Sequence, residues 1–264
     1  MSQVDITFVW PPMGSIYYIH PAVPLLAGFS RSIGLKVRQI DASIGFNRYL
    51  FSHTGILKHR PGKKAPLGLI CLWKFLSDNV EKIWSPTEGN NEIKFKKEVF
   101  IMNSALYYYS IRYQNTKFDD FSFFAKRNPI LSSSSLLTAA RYLSVQRNHP
   151  LISYYRNDVL QRITDQQPRI LGISVSDIGQ LLPSLVLVIL VHRSGLKCHV
   201  TMGGDYISTF IARLNEKKRF FTPVVIDSYV IGDGEPALEG FKRFLDGKCD
   251  YDDIDNSAAN TRVC

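Results

Sequence analysis

Three short stretches bring together residues able to do chemistry: Ser174, Ser176 and Asp177; Gly203, Gly204 and Ser208; and Gly232, Asp233, Gly234 and Glu235. Glycine lets a ligand approach the backbone closely, and a free helix N-terminus presents amide donors and a favourable dipole to phosphate or amide groups. Gly203 and Gly204 suit that contact. The competing reading is that these glycines only make tight strand-to-helix turns. Asp233 and Glu235 form an acidic pair whose pKa values a cleft could tune. Ahead of a helical pattern, however, capping and dipole stabilisation are the commoner roles of such residues. His20 stands alone near these loops, and a lone histidine is more often a hydrogen-bonding group than a metal ligand. The cysteines at 71, 198, 249 and 264 show no Cys-x-x-Cys spacing, so neither an iron–sulfur cluster, a zinc site nor a disulfide framework is expected.

The elements that must position these loops alternate. Residues 4–10 are β-rich and stop at Pro11 and Pro12; residues 22–32 carry apolar side chains at helical spacing and end before Gly34; residues 35–40 read as a second strand. This unit has the size of one right-handed crossover. The alternation resumes with strands at 169–175, 197–202 and 228–231 and helices at 179–193, 206–217 and 236–245. The expected fold is α/β, a doubly wound, Rossmann-like, five-stranded parallel sheet. Sheets of this kind bind ligands at the carboxyl ends of their strands, where strand order reverses. The chemistry-bearing loops fall there. No Gly-x-Gly-x-x-Gly follows the first strand and no Walker A motif occurs, so the dinucleotide and P-loop classes are not indicated.

Between the two alternating parts lies a different region. Residues 46–165 read as a helical insertion with polar loops at 58–66 and 132–135, and they hold 18 Lys and Arg against 9 Asp and Glu, which accounts for the net charge of +9. A solvated face is the ordinary explanation of such an excess, with nucleic acid an unlikely partner. Its aromatics, including Tyr107, Tyr108, Tyr109, Phe121, Phe123 and Phe124, are expected in the core. The domain reading is one α/β domain over residues 1–250, carrying this insertion, and an acidic, flexible tail over 251–264. The apolar run at 178–192 is too short to span a bilayer, and with no signal-peptide pattern the chain reads as soluble and cytoplasmic.

The run Leu171-Gly172-Ile173-Ser174, the turn Gly203-Gly204-Asp205-Tyr206-Ile207-Ser208 and the turn Gly232-Asp233-Gly234-Glu235 after Asp227-Ser228-Tyr229-Val230-Ile231 resemble the cobalamin-binding domain of cobalamin-dependent radical S-adenosylmethionine enzymes. In that family the turns are Gly-Gly-x-x-x-Thr and Gly-Glu-Gly-Glu; Asp233 replaces one glutamate. The Pro11-Pro12 pair, and Asp41 with Asn47, Tyr49 and Leu50, resemble the opening of members that modify ribosomally made peptides. The resemblance covers residues 4–50 and 165–247.

It implies that Ser174, Gly203, Gly204, Ser208, Gly232 and Gly234 line the nucleotide tail of cobalamin, with Ser176, Asp177, Asp233 and Glu235 beside them. No Asp-x-His-x-x-Gly motif is present, so cobalamin would bind base-off without a histidine on cobalt. The Cys-x-x-x-Cys-x-x-Cys motif of the radical barrel is also missing. The implied function is presentation of cobalamin to a separate radical S-adenosylmethionine enzyme acting as a methyltransferase, with a ribosomal precursor peptide as one substrate class. The alternative is a degenerate, cofactor-free module that binds a partner protein or precursor peptide through the basic insertion. Tyr206 in the fourth-strand loop tempts towards that alternative, because tyrosine must stack beside the tail or fill its place.

Overall fold

β1 (Ile6–Trp10) is buried along its whole length, as a central strand covered on both faces must be. The computed structural model describes residues 3–12, 20–84, 92–113, 116–118, 123–125, 133–209, 225–250, 253–254 and 257–259. α1 (Ala22–Ser32) follows and ends before Gly34, whose φ of 89° a side chain would disfavour. β2 (Val37–Asp41) pairs parallel with β1, and Asp41 caps α2 (Ala42–Leu50) by accepting the Ile44 amide at 2.8 Å.

β5 (Ile170–Ser174), β6 (His199–Gly203) and β7 (Ser228–Val230) complete the parallel part and, with β8 (Ser257–Ala259) at the edge, give the sheet order β2-β1-β5-β6-β7-β8. Five strands run parallel, and the order reverses between β1 and β5. The doubly wound α/β fold expected from the alternation is therefore present. α1 and α10 (Gly234–Leu245) cover one face, where Phe8, Trp10, Val23, Ala27, Leu238 and Phe241 share a core. α9 (Leu181–Arg193) covers the other; every residue from Leu181 to Val191 is buried. An all-apolar helix needs cover on each side. The sheet supplies one side and α6 (Ser133–Ser144) the other.

The insertion is built on that second face. α3 (His53–Lys58), α4 (Leu67–Asn79), α5 (Glu92–Arg112), α7 (Pro150–Tyr154) and α8 (Leu160–Gln166) join α2 and α6 there, and their apolar residues run without a break into the core of α9 and the sheet.

Four local expectations change. A hairpin, β3 (Thr116–Phe118) with β4 (Phe123–Ala125), interrupts the helices, its strands rich in β-forming Thr and Phe. Ser133, Ser134 and Ser135 open α6 instead of forming a loop, in keeping with the preference of serine for helix starts. Tyr108 and Tyr109 are buried but Tyr107 is 62% exposed, because it falls on the opposite side of α5; the placement of Phe121 and of the side chains of Phe123 and Phe124 lies outside the described residues. The tail is not wholly flexible: β8 (Ser257–Ala259) pairs antiparallel with β7 and covers the backbone groups of what would be an open edge. The sheet thus has a sixth strand. Among the described residues no helix is long and apolar enough to cross a membrane.

Candidate functional site

A cleft of about 240 Å³ opens between α1 and α10 over the carboxyl ends of β1, β5, β6 and β7. Ligand crevices of open α/β sheets belong at this edge. Its floor is sheet surface carrying little side chain: Gly172 and Ser174 from β5, Thr201 and Gly203 from β6. Alternate residues of a strand share a face, so these four point to one side. Its walls are Phe8, Leu25, Leu26, Leu238 and Phe241, and its mouth carries the carboxylates of Asp205, Asp233 and Glu235.

Of the residues read from sequence, Ser174, Gly203, Gly204, Gly232, Asp233, Gly234 and Glu235 line this cleft. Ser176, Asp177 and Ser208 are not in its lining and hold the loops instead. Asp177 caps a 3-10 turn, accepting the Gly179 amide at 2.7 Å. Ser176 donates through its amide and hydroxyl to Gln180 Oε1, at 2.8 and 3.0 Å. Ser208 Oγ donates to the Gly204 carbonyl at 3.1 Å and accepts the Gly232 amide at 2.9 Å, tying two glycine loops together. At Gly204, φ is 107° and an added Cβ would lie 2.5 Å from the Val175 carbonyl oxygen, so this glycine is required by the turn itself. Tyr206 packs against the core on the α9 side and does not line the cleft.

Sequence reasoning missed the residues that set the character of the site. Gln180, fully buried, also donates to the Pro11 carbonyl at 2.9 Å and so links the loops on either side of the strand-order reversal. Thr201 is 5% exposed, and its Oγ1, itself closed off from solvent, has no hydrogen-bond partner among the described residues. A buried hydroxyl without a partner costs about 1–3 kcal/mol, so such a group in a cleft floor calls for an explanation. Period-two reading of Gly172-x-Ser174 and Thr201-x-Gly203 could have found the bare floor. Trp10 Nε1 and His20 Nδ1 are likewise buried without partners, their rings 5.2 Å apart at the end of β1.

A second concentration of titratable groups lies inside the insertion. His59 Nδ1 is 2.6 Å from the Tyr113 hydroxyl and Nε2 is 2.7 Å from the Tyr49 hydroxyl. Tyr113 donates to the Asn148 carbonyl at 2.8 Å, so it must accept from Nδ1–H, leaving Nε2 to accept from Tyr49. Burial, reinforced by Lys58 and Arg112, pushes His59 down to about 4, and burial with the nearby His59 pushes His149 down to about 3. Both are neutral at ordinary pH. Tyr108 donates to the His59 carbonyl and Tyr109 to the Leu50 carbonyl at 3.2 Å. These partners are satisfied within the core, which makes the cluster a structural network. Among the described residues, no group of three or more His, Cys, Asp and Glu could hold a metal ion. Comparison with protein-family models, with curated proteins and with solved structures found no match.

Proposed function

We propose that the chain is a cobalamin-binding module that seats the nucleotide tail of the cofactor in the α1–α10 cleft and leaves the corrin ring on the carboxyl edge of the sheet. The observation that carries this reading is the bare floor of Gly172, Ser174, Thr201 and Gly203 at the carboxyl edge of the sheet. A flat heterocycle suits such a floor. About 240 Å³ accommodates such a group, but lies below the ~300–1,000 Å³ of pockets that swallow a drug-sized ligand. The macrocycle would therefore lie outside.

Charge supports a corrinoid over a nucleotide triphosphate or dinucleotide. Among the described residues no Lys or Arg lines the cleft, whereas Asp205, Asp233 and Glu235 do. A polyphosphate would be repelled there, while the carboxamide side chains of a corrin are donors that carboxylates accept. Gly203, Gly204 and Gly232 would let the tail approach the backbone, Ser174 would hydrogen-bond it, and Leu26, Leu238 and Phe241 would exclude water. When bound, cobalamin supplies a methyl group for transfer. The radical step is assigned, on the sequence resemblance, to a separate radical S-adenosylmethionine enzyme in the cytoplasm, with a ribosomal precursor peptide as its substrate class.

The test is the ultraviolet–visible spectrum after incubation with hydroxocobalamin and removal of free cofactor. The expected result is a corrin spectrum retained by the wild type and lost in Gly203→Trp, which fills the cleft. A colourless wild-type protein overturns the proposal.

A further inference from the structure

α5 carries two apolar faces. Ile101, Ala105, Leu106, Tyr108 and Tyr109 are buried against the insertion core. On the opposite side Ile93, Phe100 and Tyr107 are 68%, 62% and 62% exposed. They recur every seven residues, a step that drifts only about 20° around a straight helix, so they form one row. At 1.5 Å per residue the row is about 21 Å long. Phe75 of α4 meets Phe100 edge-on at 5.9 Å and widens it. An apolar stripe on a helix is normally covered. This one is exposed.

The surroundings say what would cover the other. Lys96 and Lys97 lie between Ile93 and Phe100 on the exposed side; Lys96 pairs with Glu92 at 2.5 Å, while Lys97 makes no ion pair among the described residues. Residues 58–112 hold ten Lys and Arg against five Asp and Glu. A second copy of the chain would set these lysines against one another. A membrane surface is served by a broad apolar face, whereas three apolar side chains in line with Lys96 and Lys97 beside them suit the apolar stripe of a single helix with acidic flanks. We propose that the Ile93–Phe100–Tyr107 row is the docking seam for an acidic amphipathic helix of a partner polypeptide. This inference stands apart from the cofactor reading of the cleft.

Fluorescence anisotropy on the full chain tests it, using a labelled synthetic peptide with leucine at heptad a and d positions and glutamate on its flanks, beside a twin with lysine on its flanks. The expected result is saturable, salt-sensitive binding of the glutamate peptide alone, weakened about tenfold or more by Phe100→Glu and separately by Ile93→Glu and Lys97→Glu, with unchanged thermal midpoints. No binding, equal binding of both peptides, or indifference to all three substitutions overturns it. Co-sedimentation with phosphatidylserine vesicles without peptide binding, or self-association abolished by Phe100→Glu, also overturns it, in favour of a membrane or a second copy.

Discussion

The centre of the insertion and the cleft at the carboxyl edge both keep polar side chains from water, and they treat them in opposite ways. In the insertion the two nitrogens of His59 are engaged by Tyr49 and Tyr113, and Tyr108 and Tyr109 donate to carbonyls. The Tyr154 hydroxyl, lying over Gly45 and near the Asp158 carboxylate, is an exception there. In the cleft, side chains have been pared away from the strand ends and the Thr201 hydroxyl has no partner among the described residues. A satisfied buried network rigidifies a core, whereas a sheet surface bared of side chains leaves room for a ligand.

This contrast can be broken in four ways, beginning with the largest effect. His59→Ala leaves the Tyr49 and Tyr113 hydroxyls without their shared partner and opens a cavity; chemical denaturation should show a loss of about 3–4 kcal/mol. A loss below about 1 kcal/mol would mean that the network is not structural.

Acidification acts next. His59 and His149 have folded pKa values depressed to about 4 and about 3, below the unfolded 6.5. The unfolded chain therefore takes up protons first. Stability is full above pH 6.5 and falls as pH drops towards 4 for His59 and towards 3 for His149, by about 1 kcal/mol per histidine by pH 5.5. Denaturation midpoints at pH 7 and pH 5.5 measure this; equal midpoints would contradict the assignment of both rings as buried and neutral.

In the cleft the sign reverses. Thr201→Val removes an unpaired buried hydroxyl and keeps the volume, so the ligand-free protein should gain about 1 kcal/mol. A loss of stability would reveal a partner for that hydroxyl in the protein itself. The smallest effect belongs to Ser208→Ala. It frees the partly exposed link between Gly204 and Gly232 at a cost of about 0.5–1 kcal/mol, with faster release of bound cobalamin in stopped-flow displacement. An unchanged off-rate would show that the two loops are held in place without it.

Much of the fold was legible because it rests on periodicity. The helix at residues 22–32 matches α1, and the apolar run at 178–192 became the buried α9. The glycine loops were legible because a strand end followed by a helix leaves backbone to serve as a site. Short elements were not legible: Ser257–Ala259 has little strand propensity and pairs only because β7 offers an open edge. Thr201 was not legible either, since within a strand a threonine reads as an ordinary β-former.

By itself, the amino-acid order determined which segments alternate and which strand ends carry glycine and acid, because those are local consequences of side-chain spacing and backbone freedom. Only the tertiary structure decided that Tyr206 turns to the α9 side, that the Thr201 hydroxyl is buried without a partner among the described residues, and that one apolar row of α5 lies open. Each of these depends on what stands opposite a residue across the sheet or between helices, and that neighbour is set by packing between segments far apart in the chain.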